Sequence, residues 1–174
     1  MSKQHAIDLR SGATRTLVFI LRVSFWMLLL TPAAHADVKL DKLKAPSEEW
    51  EKAINEAGAE VEFYLKASKG DVNVTVRTFP NISQSAKTFL EVTADEMQKN
   101  SDYKGVNLGQ IHDESRGGKK WDVLEIGLPA KMKQVLLARK MNSNTVLVVM
   151  YTALNEVFEK YQPGLEEIVK QAAR

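Results

Sequence analysis

Two short segments late in the chain, Val135-Leu136-Leu137-Ala138 and Val146-Leu147-Val148-Val149-Met150-Tyr151, are apolar at almost every position. Successive side chains of a strand point to opposite faces, so an unbroken apolar run leaves no face for water and is buried on both sides. The turn-forming Asn142-Ser143-Asn144-Thr145 joins the two, which makes them a central antiparallel hairpin. A fold for this chain must therefore cover one sheet from above and below, and amphipathic helices are the economical cover.

The rest of the pattern supplies that sheet and those helices. Residues 37–45 are charged and short, and read as an extended lead-in or edge strand. Ser47 then caps a short helix with Glu48 and Glu49 in its first turn, an apolar face of Trp50, Ala53, Ile54 and Ala57, and a stop at Gly58. From Val61 the period changes to two. Val61, Phe63, Leu65 and Ala67 alternate with polar residues, and Val72, Val74 and Val76 resume the alternation after Ser68-Lys69-Gly70-Asp71. Thr75 and Arg77 share the polar side, which places this hairpin toward a sheet edge with one wet face.

Pro80 ends the second strand, and Ser83 caps a helix whose stripe is Ala86, Phe89, Leu90, Thr93, Ala94 and Met97. A weaker strand follows at about residues 106–112, then a hairpin turn at Arg116-Gly117-Gly118-Lys119 and a strand over 121–126. The closing helix carries Leu165, Ile168, Val169 and Ala172 on one face, with Pro163 in its opening turn. The order α-β-β-α-β-β-β-β-α predicts an α+β domain. Its single antiparallel sheet has about six strands covered by helices on both faces, an α/β/α sandwich; a START-like cavity fold is the alternative.

Residues 1–36 read as a cleavable export signal: Lys3, Arg10, Arg15 and Arg22 precede an apolar run over 23–30 and the small-residue segment ending Ala34-His35-Ala36. Cleavage is expected between Ala36 and Asp37, leaving one globular domain over 37–174 in the periplasm or outside the cell. Arg22 interrupts the apolar stretch, and a span needs roughly 20 apolar residues. The leader therefore reads as a signal and not as an anchor, and no cysteine follows it to carry a lipid. Removing it takes four of the 24 Lys and Arg but one of the 22 Asp and Glu, leaving 20 against 21, net −1. The positive balance of the whole chain thus belongs to the leader and gives no support for a nucleic-acid partner. With no cysteine, the domain is held by its core alone.

The stretch from the Val61 hairpin through the Ser83 helix, the Gly117-Gly118 turn and the two apolar strands to the closing segment resembles the PsbP-like family. That family comprises lumenal photosystem subunits and bacterial periplasmic relatives. Tyr151-Thr152-Ala153, Phe158 and the helical face Leu165 to Val169 stand at matching places. The resemblance is one of pattern, and it departs at the start, where the family's Trp near a strand beginning would fall on Trp50, in what reads here as a helix. It implies a helix-covered antiparallel sheet and an accessory role without catalysis, and it carries over no functional residues.

Candidate chemistry is sparse. His112 is the one histidine after position 36 and is followed by Asp113 and Glu114; the three are weak metal candidates, since neighbours on a strand diverge and zinc needs three or four converging ligands. After position 36 there is no cysteine, no Gly-x-Ser-x-Gly elbow, and only His112 to serve any triad. The pairs Glu48/Glu49, Asp113/Glu114 and Glu166/Glu167 read as solvated caps and turns, not as paired acids. Gly117-Gly118 with Lys119 and Lys120 lacks the spacing of a phosphate loop. Lys131, Lys133, Arg139 and Lys140 read first as solvated surface residues; the alternative gathers them with that turn at one end of the sheet, facing an acidic partner or anionic lipid.

The resulting expectation is an exported, non-enzymatic accessory protein that binds another envelope protein through a sheet edge or helix face. No catalytic residue, metal or cofactor is assigned, any membrane association is by surface contact, and no oligomeric state follows. The alternative is a periplasmic carrier of an apolar ligand or lipid, held between the sheet and the Ser83 helix and lined by Trp50, Phe63, Phe89, Met97 and Met150.

Overall fold

The computed structural model describes residues 39–54, 60–68 and 71–174; the leader and its expected cleavage site lie outside them. A 3₁₀ turn at Leu40–Lys42 precedes the strands β1 (Trp50–Ile54), β2 (Glu60–Leu65) and β3 (Asn73–Pro80). Helix α1 (Ala86–Lys99) and a second 3₁₀ turn (Ser101–Tyr103) lead to β4 (Asn107–Leu108) and β5 (His112–Arg116). The chain closes with β6 (Lys119–Leu128), β7 (Met132–Asn142), β8 (Thr145–Leu154) and helix α2 (Phe158–Ala172). The strands form one antiparallel sheet in the order β1-β2-β3-β8-β7-β6-β4, with β5 also on β6.

The two apolar runs occupy the middle. β8 lies between β3 and β7, β7 between β8 and β6, and Leu136 faces Met150, Leu137 faces Val149 and Ala138 faces Val148. Alternate residues enter two apolar clusters on opposite faces of the sheet. Val135, Leu137, Leu147, Val149 and Tyr151 pack with Phe158, Leu165, Ile168 and Val169 of α2. Leu136, Ala138, Val146 and Val148 pack with Ala86, Phe89, Leu90 and Met97 of α1. The continuity of the two sequences has this cause: each residue is core for one cluster or the other.

Several expectations are corrected. The sheet has eight strands, not about six, in part because the helix expected from Ser47 is strand β1. Its register sets Trp50 opposite Leu65 and Ile54 opposite Val61. A helix would bury Trp50, Ala53 and Ile54 together, whereas here Trp50 is 6% exposed and Ile54 47%. So short a segment gains little from helix formation, while pairing with β2 satisfies its backbone; the expected last turn at Ala57 and Gly58 lies outside the described residues. The lead-in is a 3₁₀ turn that buries Leu40 and Leu43, not an edge strand. Because β1 takes the edge, the β2–β3 hairpin is internal. Thr75 is buried and the Arg77 guanidinium lies 4.9 Å from the Phe79 ring centre, so that face of β3 is not wet.

The cap of α1 is Ser85, two residues later than Ser83, with its Oγ accepting the Thr88 N–H at 3.0 Å. The strand expected over 106–112 is divided into β4 and β5, which lie end to end along β6. The closing helix begins at Phe158, so Pro163 stands inside it. The ring removes one helical hydrogen bond, and the carbonyl it leaves belongs to Glu159, which is exposed to water. The Gly117-Gly118 turn is as expected: Arg116 pairs with Lys119 and both glycines have positive φ, 58° and 76°.

Candidate functional site

Strand β5 holds the three metal candidates His112, Asp113 and Glu114, and its alternation separates them. His112 and Glu114 lie on one side and meet, with Nε2 to Oε1 at 2.9 Å, while Nδ1 faces the Gln110 carbonyl at 3.2 Å. Asp113 points away, toward Lys120 at 3.7 Å. On the His112 side the row continues to Arg116. Its Nε donates to Glu114 Oε2 at 2.6 Å, and its Nη1 to Glu166 Oε1 on α2 at 2.5 Å. The result is a four-residue ladder, His112–Glu114–Arg116–Glu166, that ties the outer strand to the closing helix.

Its electrostatics are those of a clamp. The bond to Glu114, aided by the Gln110 carbonyl, holds the His112 imidazole above its ordinary pKa. Burial pushes the Glu114 carboxyl up, but the bonds from Arg116 and His112 outweigh it and leave it below the ordinary value. A general acid needs the opposite shift. A cation would also have to displace Arg116 to use Glu114, and among the described residues no three His, Asp or Glu side chains converge as metal ligands.

In the sequence Arg116 reads only as part of the hairpin turn and Glu166 only as a solvated helix-start carboxylate; that reading is corrected, since Glu166 lies inside α2 and pairs with Arg116. His112-x-Glu114-x-Arg116 was legible as a period-two row of alternating charge, but nothing local marks Glu166 as its partner across 50 positions. Two further couplings of α2 were equally silent. Gly164 lies so close to Trp50 that an added Cβ would stand 2.7 Å from Trp50 Cζ2. The Gln171 amide brackets Lys44, accepting its N–H at 2.8 Å and donating to its carbonyl at 3.3 Å.

The expected basic cluster divides. Lys131 and Lys133 lie at the start of β7, and Arg139 and Lys140 toward its end, roughly 20 Å further along a strand. Lys133 pairs with Glu125 at 3.1 Å and covers the Phe158 ring. Lys140 donates to the carbonyls of Ile82 and Gln84 before α1. Only Arg139 stays near the Gly117-Gly118 turn. The five residues expected to line a ligand space divide as well: Trp50 and Phe63 belong to the α2-side cluster, Phe89 and Met97 to the α1-side cluster, and Met150 packs against the latter. They border no common space.

No family model matches the sequence, and no curated protein matches it. Solved structures do. The solution structure of cyanobacterial PsbP (CyanoP) from Synechocystis sp. PCC 6803 is similar over 71% of this chain and 81% of that one, with a TM-score of 0.51 and 14% sequence identity. The chain has a PsbP-like fold.

Proposed function

We propose that the protein is an exported, non-enzymatic accessory protein that acts by binding another protein of the cell envelope. The observation that carries this reading is the PsbP-like fold, a fold of accessory proteins. The chemistry of the site agrees with it: the one histidine of the described chain is engaged in a structural ladder with Glu114, Arg116 and Glu166. A leader over residues 1–36 that is cut between Ala36 and Asp37 would deliver the domain to the periplasm or beyond, where a cysteine-free domain is indifferent to oxidation.

Crosslinking in the living cell followed by recovery of the tagged protein tests the reading. The same second polypeptide should be recovered in independent preparations, at comparable molar amount. Repeated recovery of the chain alone would overturn it.

A further inference from the structure

Arg139 is the one half-buried guanidinium among the described residues with no carboxylate beside it. It lies over the Trp121 ring, 5.2 Å from its centre. Its Nη2 reaches Met141 Sδ at 3.0 Å and the Ala172 carbonyl at 3.4 Å, and its buried Nε has no partner. By contrast, Arg116 holds two carboxylates. Burial of an unpaired charge costs free energy that a helix-end carbonyl and a sulfur recover only in part, so Arg139 is the position where an incoming carboxylate gains most.

Further cations border it, with Glu166 and Glu167 one turn earlier on α2. Gly117 abuts the last turn of α2, an added Cβ there meeting Lys170 Cα at 3.0 Å and Ala173 Cβ at 3.1 Å. The turn, the helix end and Arg139 therefore form one rim. Lys119, Lys170 and Arg174 stand on it with no ion pair among the described residues, while Lys120 is held loosely by Asp113 at 3.7 Å. The chain after position 36 carries a net −1, so this positive rim is local and not a reflection of overall charge.

We propose that this rim is the surface that docks the partner, through an acidic segment of that partner protein whose carboxylate pairs with Arg139. The inference rests on the accessory reading above. A protein segment suits the rim better than a bilayer does, because Arg139 is half-buried beside Trp121 and Met141 and is not presented on a flat surface. The exposed large apolar residues that would enter a bilayer, Ile54 and Val92, lie elsewhere, on β1 and α1.

A hexaglutamate peptide titrated into the isotope-labelled protein recovered from its host provides the test. Saturable NMR shifts are expected at the Trp121 indole, at Gly117 to Lys119 and at residues 170–174. Arg139→Gln should weaken binding about tenfold, the scale of losing a desolvated charge pair, and Lys131→Gln at the far end should leave it unchanged. Should Arg139→Gln fail to fold, the exposed changes Lys119→Glu and Arg174→Glu serve instead, each expected to weaken binding several-fold. The proposal is overturned by shifts that do not saturate, by equal affinity in these rim variants, or by Arg139-dependent binding to phosphatidylglycerol vesicles in place of the peptide. If the crosslinked partner is recovered equally with Lys119→Glu, the rim is wrong and the accessory reading stands; if no partner is recovered with the unaltered protein, both fail.

Discussion

The phenolic hydroxyl of Tyr151 donates to the backbone carbonyl of Phe158 at 2.7 Å, and the two rings pack 4.6 Å apart at 47°. This joins the last strand to the first residue of α2, a helix start with no side-chain cap of its own. Tyr151→Phe keeps the ring contact and removes one buried hydrogen bond to a carbonyl that retains its helical partner, the Gln162 N–H, so it should cost about 0.5–1.5 kcal/mol in a urea melt. Burial also pushes the Tyr151 phenol above its ordinary value of 10.0. A raised folded-state pKa means that the stability is fully present below about pH 10 and is lost as the pH climbs beyond it. The alkaline limb of a stability profile should therefore be shallower in Tyr151→Phe than in the unaltered protein.

Gly164 and Trp50 allow a test in which the sign of the effect reverses. An alanine at 164 gains about 1 kcal/mol of helix propensity, yet its Cβ would stand 2.7 Å from Trp50 Cζ2. Overpacking of that kind costs about 1–3 kcal/mol. Gly164→Ala should destabilise the protein, and the same change made on a Trp50→Leu background should stabilise it. Denaturant midpoints of the four variants decide the matter.

Val148, 3% exposed in the α1-side cluster, should not tolerate charge. Val148→Asp buries an uncompensated carboxylate at a cost of several kcal/mol against a total stability of roughly 5–15, so no cooperative melt should be seen. Lys66 is exposed and its ammonium donates to the Glu48 carbonyl at 2.7 Å. Lys66→Asp should change stability by about 0.5 kcal/mol or less. Equal tolerance of the two changes would contradict the central position of β8.

The ladder on β5 predicts a dependence on pH. The folded-state pKa of His112 is raised by its bond to Glu114, so the stability it adds is fully present below about pH 6.5, the ordinary value, and is lost as pH rises through the higher folded value. The difference in melting temperature between the unaltered protein and His112→Ala should be greatest near pH 5 and vanish at mildly alkaline pH. The cellular role of the His112→Ala protein should be intact, and its loss from a normally folded variant would reopen a metal or catalytic reading.

What was legible in the sequence follows a physical division. β7 and β8 were readable because burial on both faces removes every polar position, a signal that needs no knowledge of partners. The Gly117-Gly118 turn was readable because its backbone demands positive φ. β1 was not, since Trp50, Ala53 and Ile54 satisfy a helical spacing as well as any strand, and the deciding influence is β2, whose pairing is set elsewhere in the chain. The same holds for the site. His112 and Glu114 could be placed on one side of a strand, but Glu166 reaches Arg116 only through the docking of α2. The division of Trp50, Phe63, Phe89 and Met97 between two clusters depends on strand register and helix placement that no local pattern states.

What accompanies the protein in its own compartment is decisive, and native mass spectrometry of the complex isolated from the envelope measures it directly. The predicted spectrum shows the chain beginning at Asp37 together with one further polypeptide in fixed ratio, and no added small-molecule mass. A chain alone, or a chain carrying a lipid and no second polypeptide, would contradict it.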